Sequence, residues 1–173
     1  MDTMLDKCIK GDKDAFVKVI SSMERKLYII AKSKINNEED VKDIIQETIY
    51  SCFKNIKKLK DKNKFESWVV AILINNCNLF YKNKKNIIKV PYDEQYICDL
   101  QSDDNFQNLN DNIDFFYLLN LLDNDEKTIF CLFYVNDYTT SKISEILKIN
   151  ENTIKSKLKR SIEKIKKFLE RCD

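Results

Sequence analysis

Eight cationic side chains crowd the stretch from Thr153 to Arg171: Lys155, Lys157, Lys159, Arg160, Lys164, Lys166, Lys167 and Arg171, against Glu163 and Glu170, a net charge of +6. Their chemistry is electrostatic: ammonium groups at this density pair with phosphates, and their affinity depends on salt. Apolar residues recur in the same stretch at Ile154, Leu158, Ile162, Ile165 and Leu169, at helical spacing. A helix with an apolar stripe and a basic wall suits the major groove of DNA. The plainer alternative is a solvated basic face on a bundle helix.

A second, shorter element precedes it. Ile143, Ile146 and Leu147 keep the helical rhythm, which pauses at Ile149, and Ser144 is small enough to let another helix cross closely. Thr139 and Asn150 stand where side-chain oxygens would cap the first and second helices. Two capped helices at turn spacing form a helix-turn-helix.

Two further surfaces are legible. Asp43, Gln46 and Glu47 lie at i, i+3 and i+4, so their polar ends cluster on one helix face, which is either solvated or docks a basic partner. Aromatic and amide groups in Phe65 to Asn83 lie beside Lys60, Lys62, Lys64, Lys82, Lys84 and Lys85, a composition suited to unstacked bases and a phosphate backbone. An ordinary core helix with a hydrated rim fits the same residues.

Composition narrows the classes. With no histidine, scattered cysteines and a single glycine among 173 residues, catalytic, metal-binding and glycine-loop phosphate chemistry find no foothold, and no cofactor is implied. The six cysteines read as reduced thiols of a cytoplasmic protein. No apolar run reaches membrane-spanning length, and the charged N-terminus is unlike a signal peptide. One proline and one glycine favour an all-α fold. The net charge of +2 hides a segregation: residues 1–92 carry +7, residues 93–114 carry −7 and residues 115–173 carry +2. Two basic modules are therefore expected at 1–90 and 113–173, held apart by an acidic linker at 91–112.

The elements that position these groups follow from periodicity. One helix is expected over 14–35, with Phe16, Ile20, Met23, Leu27 and Ile30 inward, and a second over 38–59, with Val41, Ile44, Ile45, Thr48, Cys52, Ile56 and Leu59 inward. A third spans about 65–83, burying Phe65, Trp68, Val69, Ile72, Leu73, Leu79 and Phe80, with Asn75, Asn76 and Asn78 turned outward because unpaired buried amides cost ~1–3 kcal/mol each. Residues 89–112 read as linker. IDFFYLLNLL then forms a short helix, and Asp123 with Glu126 forms a capping box for the next.

The segments DVKDIIQETIYSCF, FESWVVAILINNCNLFYK and TTSKISEILKINENTIKSKLKRSIEKI, in this order, resemble regions 2.2, 2.4 and 4.2 of the extracytoplasmic-function (ECF) group of bacterial sigma-70 initiation factors. The resemblance covers roughly 10–90 and 113–170. It implies a region 2 bundle of three to four helices and a region 4 helix-turn-helix, acting with core RNA polymerase and promoter DNA, with no small-molecule substrate. Asp40, Asp43, Gln46 and Glu47 would bind the clamp helices of the β′ subunit, and the β flap is a second polymerase contact. Lys60, Lys62, Asn63, Lys64, Ser67, Trp68, Asn75, Asn78 and Lys82 would read the minus-10 element. Thr139, Asn152, Thr153, Lys155, Ser156, Lys159 and Arg160 would read the minus-35 element. An anti-sigma factor is a further partner of the family. Lys148 stands where the family usually has glycine, Lys157 where arginine is frequent and Leu79 where an aspartate is common; Val70 and Ala71 replace basic residues. The residues alone leave open a stand-alone dimeric helix-turn-helix regulator and a helical adaptor that binds no DNA.

Overall fold

The computed structural model describes residues 3–87 and 110–171, and among these it is helical with no strand. Helix α1 (Met4–Ile9) starts at a capping box in which Thr3 and Asp6 satisfy each other's amides. It was not expected from periodicity, because six residues are too few to show one. The helix expected over 14–35 is two helices, α2 (Lys13–Ser21) and α3 (Glu24–Lys34). At the break the Ser22 hydroxyl donates to the Val19 carbonyl at 2.7 Å, a local bond that competes with helix propagation. Phe16, Ile20, Met23, Leu27 and Ile30 are nonetheless all buried, so the stripe survives the bend.

Helix α4 (Glu38–Asn55) is capped by Asn37 and ends four residues before the expected boundary, in a 3-10 turn at Ile56–Lys58. A second 3-10 turn, Lys62–Lys64, is capped by Asp61 and leads into α5 (Phe65–Ile87). Leu79 is corrected here: it is 54% exposed. Cys77 takes the inward position instead, fully buried, and Leu79 falls on the outer face with Asn75, Asn78 and Lys82. Asn76 is corrected too, because it is half-buried and its Nδ2 donates to Thr48 Oγ1 at 3.0 Å.

The C-terminal lobe comprises α6 (Asn110–Leu119), α7 (Asn124–Tyr134), α8 (Thr140–Leu147) and α9 (Glu151–Leu169). Helix α6 begins within the segment read as linker; the rest of that segment lies outside the described residues. The capping box of Asp123 and Glu126 forms as expected. So do the caps at Thr139 and Asn150. On α9 the buried rhythm is Ile154, Leu158, Ser161, with Ile165 and Phe168 half-buried, whereas Ile162 and Leu169 are exposed. The helix outruns the small core beneath it.

The expectation of lobes held apart is corrected. One continuous apolar cluster runs from Cys8 through Leu27, Ile30, Val69 and Leu73 of the N-terminal lobe into Ile129, Leu132, Ile143, Ile154 and Leu158 of the C-terminal lobe. Burying each such side chain contributes roughly 1.5–3 kcal/mol. Contact is made where α3 packs on α7 and α5 on α8. Ile29 of α3 also joins the smaller cluster of Leu119, Leu122 and Cys131. Apolar faces on short helices cannot be covered within a lobe of this size, so each lobe covers part of the other. Cys8, Cys52, Cys77 and Cys131 are free and buried, and burial pushes the thiols of Cys52 up to about 12 and of Cys77 and Cys131 up to about 11, which makes them poor nucleophiles.

Candidate nucleic-acid interface

The helix-turn-helix is shaped by its turn. Lys148 closes α8 with φ 56° and ψ 39°, the left-handed geometry normally left to glycine, at a cost of roughly 1–2 kcal/mol. Ser144 helps to hold it, donating from Oγ to the Ile149 carbonyl at 2.6 Å. Thr140 reaches across the turn to Glu151 Oε1 at 2.8 Å, tying the start of α8 to that of α9. Asn150 then accepts from the Asn152 amide at 2.9 Å, and α9 leaves the turn with its first residues in solvent.

Asn152, Thr153, Lys155, Ser156, Lys159 and Arg160 are all exposed on the first half of α9. Thr139 is exposed but its Oγ is engaged as the cap of α8, accepting from the Lys142 amide at 3.2 Å. Lys155 pairs with Glu151 at 2.9 Å and Lys159 lies 3.9 Å from Glu163, both within the helix. Exposed pairs of this kind are weak and exchange readily for a phosphate. Lys157 and Lys164 behave differently. They bind Asp125 at 3.2 Å and Glu126 at 2.5 Å on α7, so two of the eight cations fasten α9 to its own lobe.

On α5, Trp68, Asn75 and Lys82 are spaced by seven, two helical turns, and share a stripe to which exposed Asn78 and Leu79 are adjacent. Asn75, Asn78 and Lys82 are exposed and Trp68 is half-buried. Ser67 points the other way: it is 8% exposed and its hydroxyl has no hydrogen-bond partner. As a base-contacting residue it is therefore corrected for this conformation, because α5 turns it toward α8. Lys60, Lys62, Asn63 and Lys64 are exposed in the loop before α5. Two of these lysines are already paired: Lys62 with Asp6 of α1, and Lys64 with Glu145 of α8. Lys62 and the Thr3 hydroxyl hold Asp6 well below the usual carboxylate range, and the Lys64–Glu145 contact raises the lysine and lowers the glutamate. A cleft of about 310 Å³ remains at this junction, walled by Lys60, Lys64 and Trp68 on one side and Glu145 and Ile146 on the other.

The acidic face of α4 keeps Asp43, Gln46 and Glu47 exposed, with Asp40 half-buried in the first turn. Tyr50 extends this face by a further turn and is 60% exposed, a position that i+7 spacing from Asp43 could have flagged. Sequence reading also passed over the aromatic surface of the C-terminal lobe. Tyr117 and Tyr134 are exposed, with the Tyr117 ring 5.8 Å from Phe168 and the Tyr134 ring 4.5 Å from Phe130. Tyr117 and Phe168 are brought together only by packing, whereas Phe130 and Tyr134 stand at i and i+4 on α7. Among the described residues no helix is long and apolar enough to cross a membrane.

A family model for sigma-70 region 2 matches residues 19–86, and one for sigma-70 region 4 matches residues 115–165. The chain is 25% identical over 151 residues to the RNA polymerase sigma factor SigV of Bacillus subtilis, covering 87% of this chain and 89% of that protein. It is 24% identical over 184 residues to the ECF RNA polymerase sigma factor SigW of the same organism, covering 98% of each. Among solved structures, CnrH in complex with the cytosolic domain of CnrY superposes with a TM-score of 0.74 at 14% identity, over 98% of this chain and 97% of that one. The sigma factor RpoE of Bartonella quintana, in complex with the anti-sigma factor NepR, superposes at 0.68 with 15% identity, over 88% and 97%. At these identities the superpositions establish the fold. Region 2 lies ahead of region 4 along the chain, and its relatives match it almost end to end: the chain belongs to the sigma-70 family of RNA polymerase sigma factors, in its ECF group, and is an alternative sigma factor.

Proposed function

We propose that the chain works in the cytoplasm by docking on core RNA polymerase through the α4 face and presenting two separate DNA readers to a promoter. Asp40, Asp43, Gln46 and Glu47 bind the basic clamp helices of β′, with Tyr50 adding an apolar contact at the patch edge. The β flap meets the C-terminal lobe, where exposed Tyr117 and Tyr134 offer aromatic contact area. The exposed start of α9 enters the major groove at the minus-35 element: Asn152, Thr153, Ser156 and Arg160 reach base edges and nearby phosphates, and Lys155 and Lys159 supply salt-dependent affinity. Lys60, Lys62, Asn63 and Lys64 hold the strand backbone at the minus-10 element, while Trp68, Asn75, Asn78 and Lys82 meet unstacked bases. An anti-sigma factor is the natural antagonist.

The observation that carries this reading is the exposure of the α4 patch and the α9 N-terminal face on opposite lobes, each free of the other. Run-off transcription with purified core polymerase on genomic fragments tests it. The chain directs discrete transcripts that core alone does not make, and Asp43→Arg with Glu47→Arg abolishes both co-elution with core and transcription. A double variant that still binds core normally refutes the docking assignment.

A further inference from the structure

We infer that Leu79 sets base preference at the minus-10 element by packing on the C5-methyl of one thymine whose polar edge the Asn75 amide holds. The inference rests on the assignment of α5 to that element made above. Leu79 is 54% exposed, and among the described residues of α5 it is the one large apolar side chain left in solvent. A lone surface leucine is ordinary where nothing approaches it. This one stands inside a polar patch. Asn75, Asn78 and Lys82 are exposed beside it, and at about 3.6 residues per turn the four side chains share roughly a third of the helix circumference. Trp68, the only tryptophan, continues the stripe two turns earlier as a stacking surface for a neighbouring base.

The amides beside Leu79 differ from others in the chain. Asn55 donates from Nδ2 to the Ser51 carbonyl at 2.9 Å, Asn76 donates to Thr48 Oγ1, and Asn37 and Asn150 cap helices. Among the described residues the side chains of Asn75 and Asn78 have no protein partner, so both amides are open to a ligand. The face also lacks a carboxylate. Glu66, the single acidic residue of α5, lies two and a half turns before Asn75, on the opposite side of the helix, and pairs with Lys26 at 2.7 Å. An anionic strand therefore reaches Leu79 without like-charge repulsion from α5, and Lys82 meets its phosphate.

Chemistry then selects the base. A carboxamide can donate from Nδ2 to thymine O4 and accept at Oδ1 from thymine N3–H, but cytosine and adenine offer equally good donor–acceptor pairs, so the amide alone does not choose. Thymine alone adds a methyl group. Leu79 lies at i+4 from Asn75, with Cβ atoms about 5–6 Å apart, a spacing that one pyrimidine ring bridges. Covering that methyl with Leu79 is worth about fourfold in affinity.

The test removes the methyl and nothing else. On a promoter selected by run-off transcription with core polymerase, each thymine of the minus-10 region is replaced in turn by deoxyuridine. Holoenzyme affinity is measured with the full chain as wild type, Leu79→Ala, Leu79→Met and Asn75→Ala, with circular dichroism and co-elution with core to verify folding. Wild type and Leu79→Met lose about fourfold at one thymine. Leu79→Ala binds the thymine and uracil forms of that position alike, at the level of wild type on uracil, whereas Asn75→Ala weakens both forms together. Discrimination that persists in Leu79→Ala overturns the role of Leu79, and unchanged affinity in Asn75→Ala overturns that of the amide. If wild type forms promoter complexes yet tolerates uracil at every position, the inference alone fails. If the chain with core forms no promoter complex, the minus-10 assignment itself fails and takes Leu79 with it.

Discussion

The two lobes hold their DNA-facing lysines in opposite ways. In the C-terminal lobe, Lys155 and Lys159 pair with Glu151 and Glu163 one turn away, so the pairs move with α9 and survive any rearrangement of the lobes. In the N-terminal lobe, Lys62 pairs with Asp6 of the same lobe and Lys64 with Glu145 of the other, 56 and 81 residues distant, so the second contact exists only while the two lobes meet. A basic patch neutralised locally is ready for phosphate, whereas one neutralised at long range reports a conformation. The apolar core is not divided in this way: Leu27, Ile30, Val69 and Leu73 of the N-terminal bundle and Ile143 and Ile154 of the helix-turn-helix belong to one continuous cluster.

The shared core offers the largest test of that contrast. Ile154→Ala removes a fully buried side chain and should destabilise the protein by about 2–5 kcal/mol. If the lobes fold as one unit, thermal denaturation followed by circular dichroism shows a single transition that Ile154→Ala and Leu27→Ala both lower. Two transitions, each moved by one variant, would break the comparison.

Next in size is salt dependence. With polymerase holoenzyme on promoter DNA, Lys155→Ala and Lys159→Ala should each reduce the slope of log affinity against log salt by about 1, the loss of one phosphate contact. In the free chain Lys62→Ala should change the affinity for single-stranded DNA less than Lys155→Ala changes that for duplex, since Asp6 already holds Lys62. Equal effects would mean that long-range pairing does not mask the loop.

Smaller effects arise in the turn. Thr139→Ala should cost about 1 kcal/mol by removing the cap of α8. Lys148→Gly should recover up to about 1 kcal/mol, because glycine accepts the left-handed geometry but frees the unfolded chain. Urea midpoints measure both.

The smallest is a pH response. Asp6 and Glu145 have lowered pKa values in the folded chain, so they contribute stability that is present above their ordinary values of 3.8 and 4.5 and lost as pH falls below them. Trp68 quenching should therefore rise between about pH 5 and 3 in wild type and respond less in Glu145→Gln. Glu151, also lowered by its helical partner Lys155, should leave Trp68 unaffected when changed to glutamine.

Local rules read much of this molecule correctly. Capping at Thr139, Asn150 and Asp123 involves atoms within three residues of one another, and the buried stripe from Phe16 to Ile30 repeats at short range, so both are legible without coordinates. Leu79 misled the reading because hydropathy favoured burial while the helix register, set by Leu73 and Cys77 packing inward, carried it to the surface. Ser67 misled it for the converse reason: a small polar residue in a basic stretch suggests a DNA contact, and only the approach of α8 covers it.

What the sequence determined by itself is most of the helices, though neither α1 nor the break between α2 and α3, together with the charge of each face and the order of the two sigma regions, because these depend on spacing of a few residues and on side-chain chemistry. What tertiary structure alone decided is which of those faces meet. Whether Lys64 finds a phosphate or Glu145, and whether Lys34 lies in water or beneath Thr128, depends on how apolar surface is shared between lobes far apart in the chain, and no short-range periodicity carries that information.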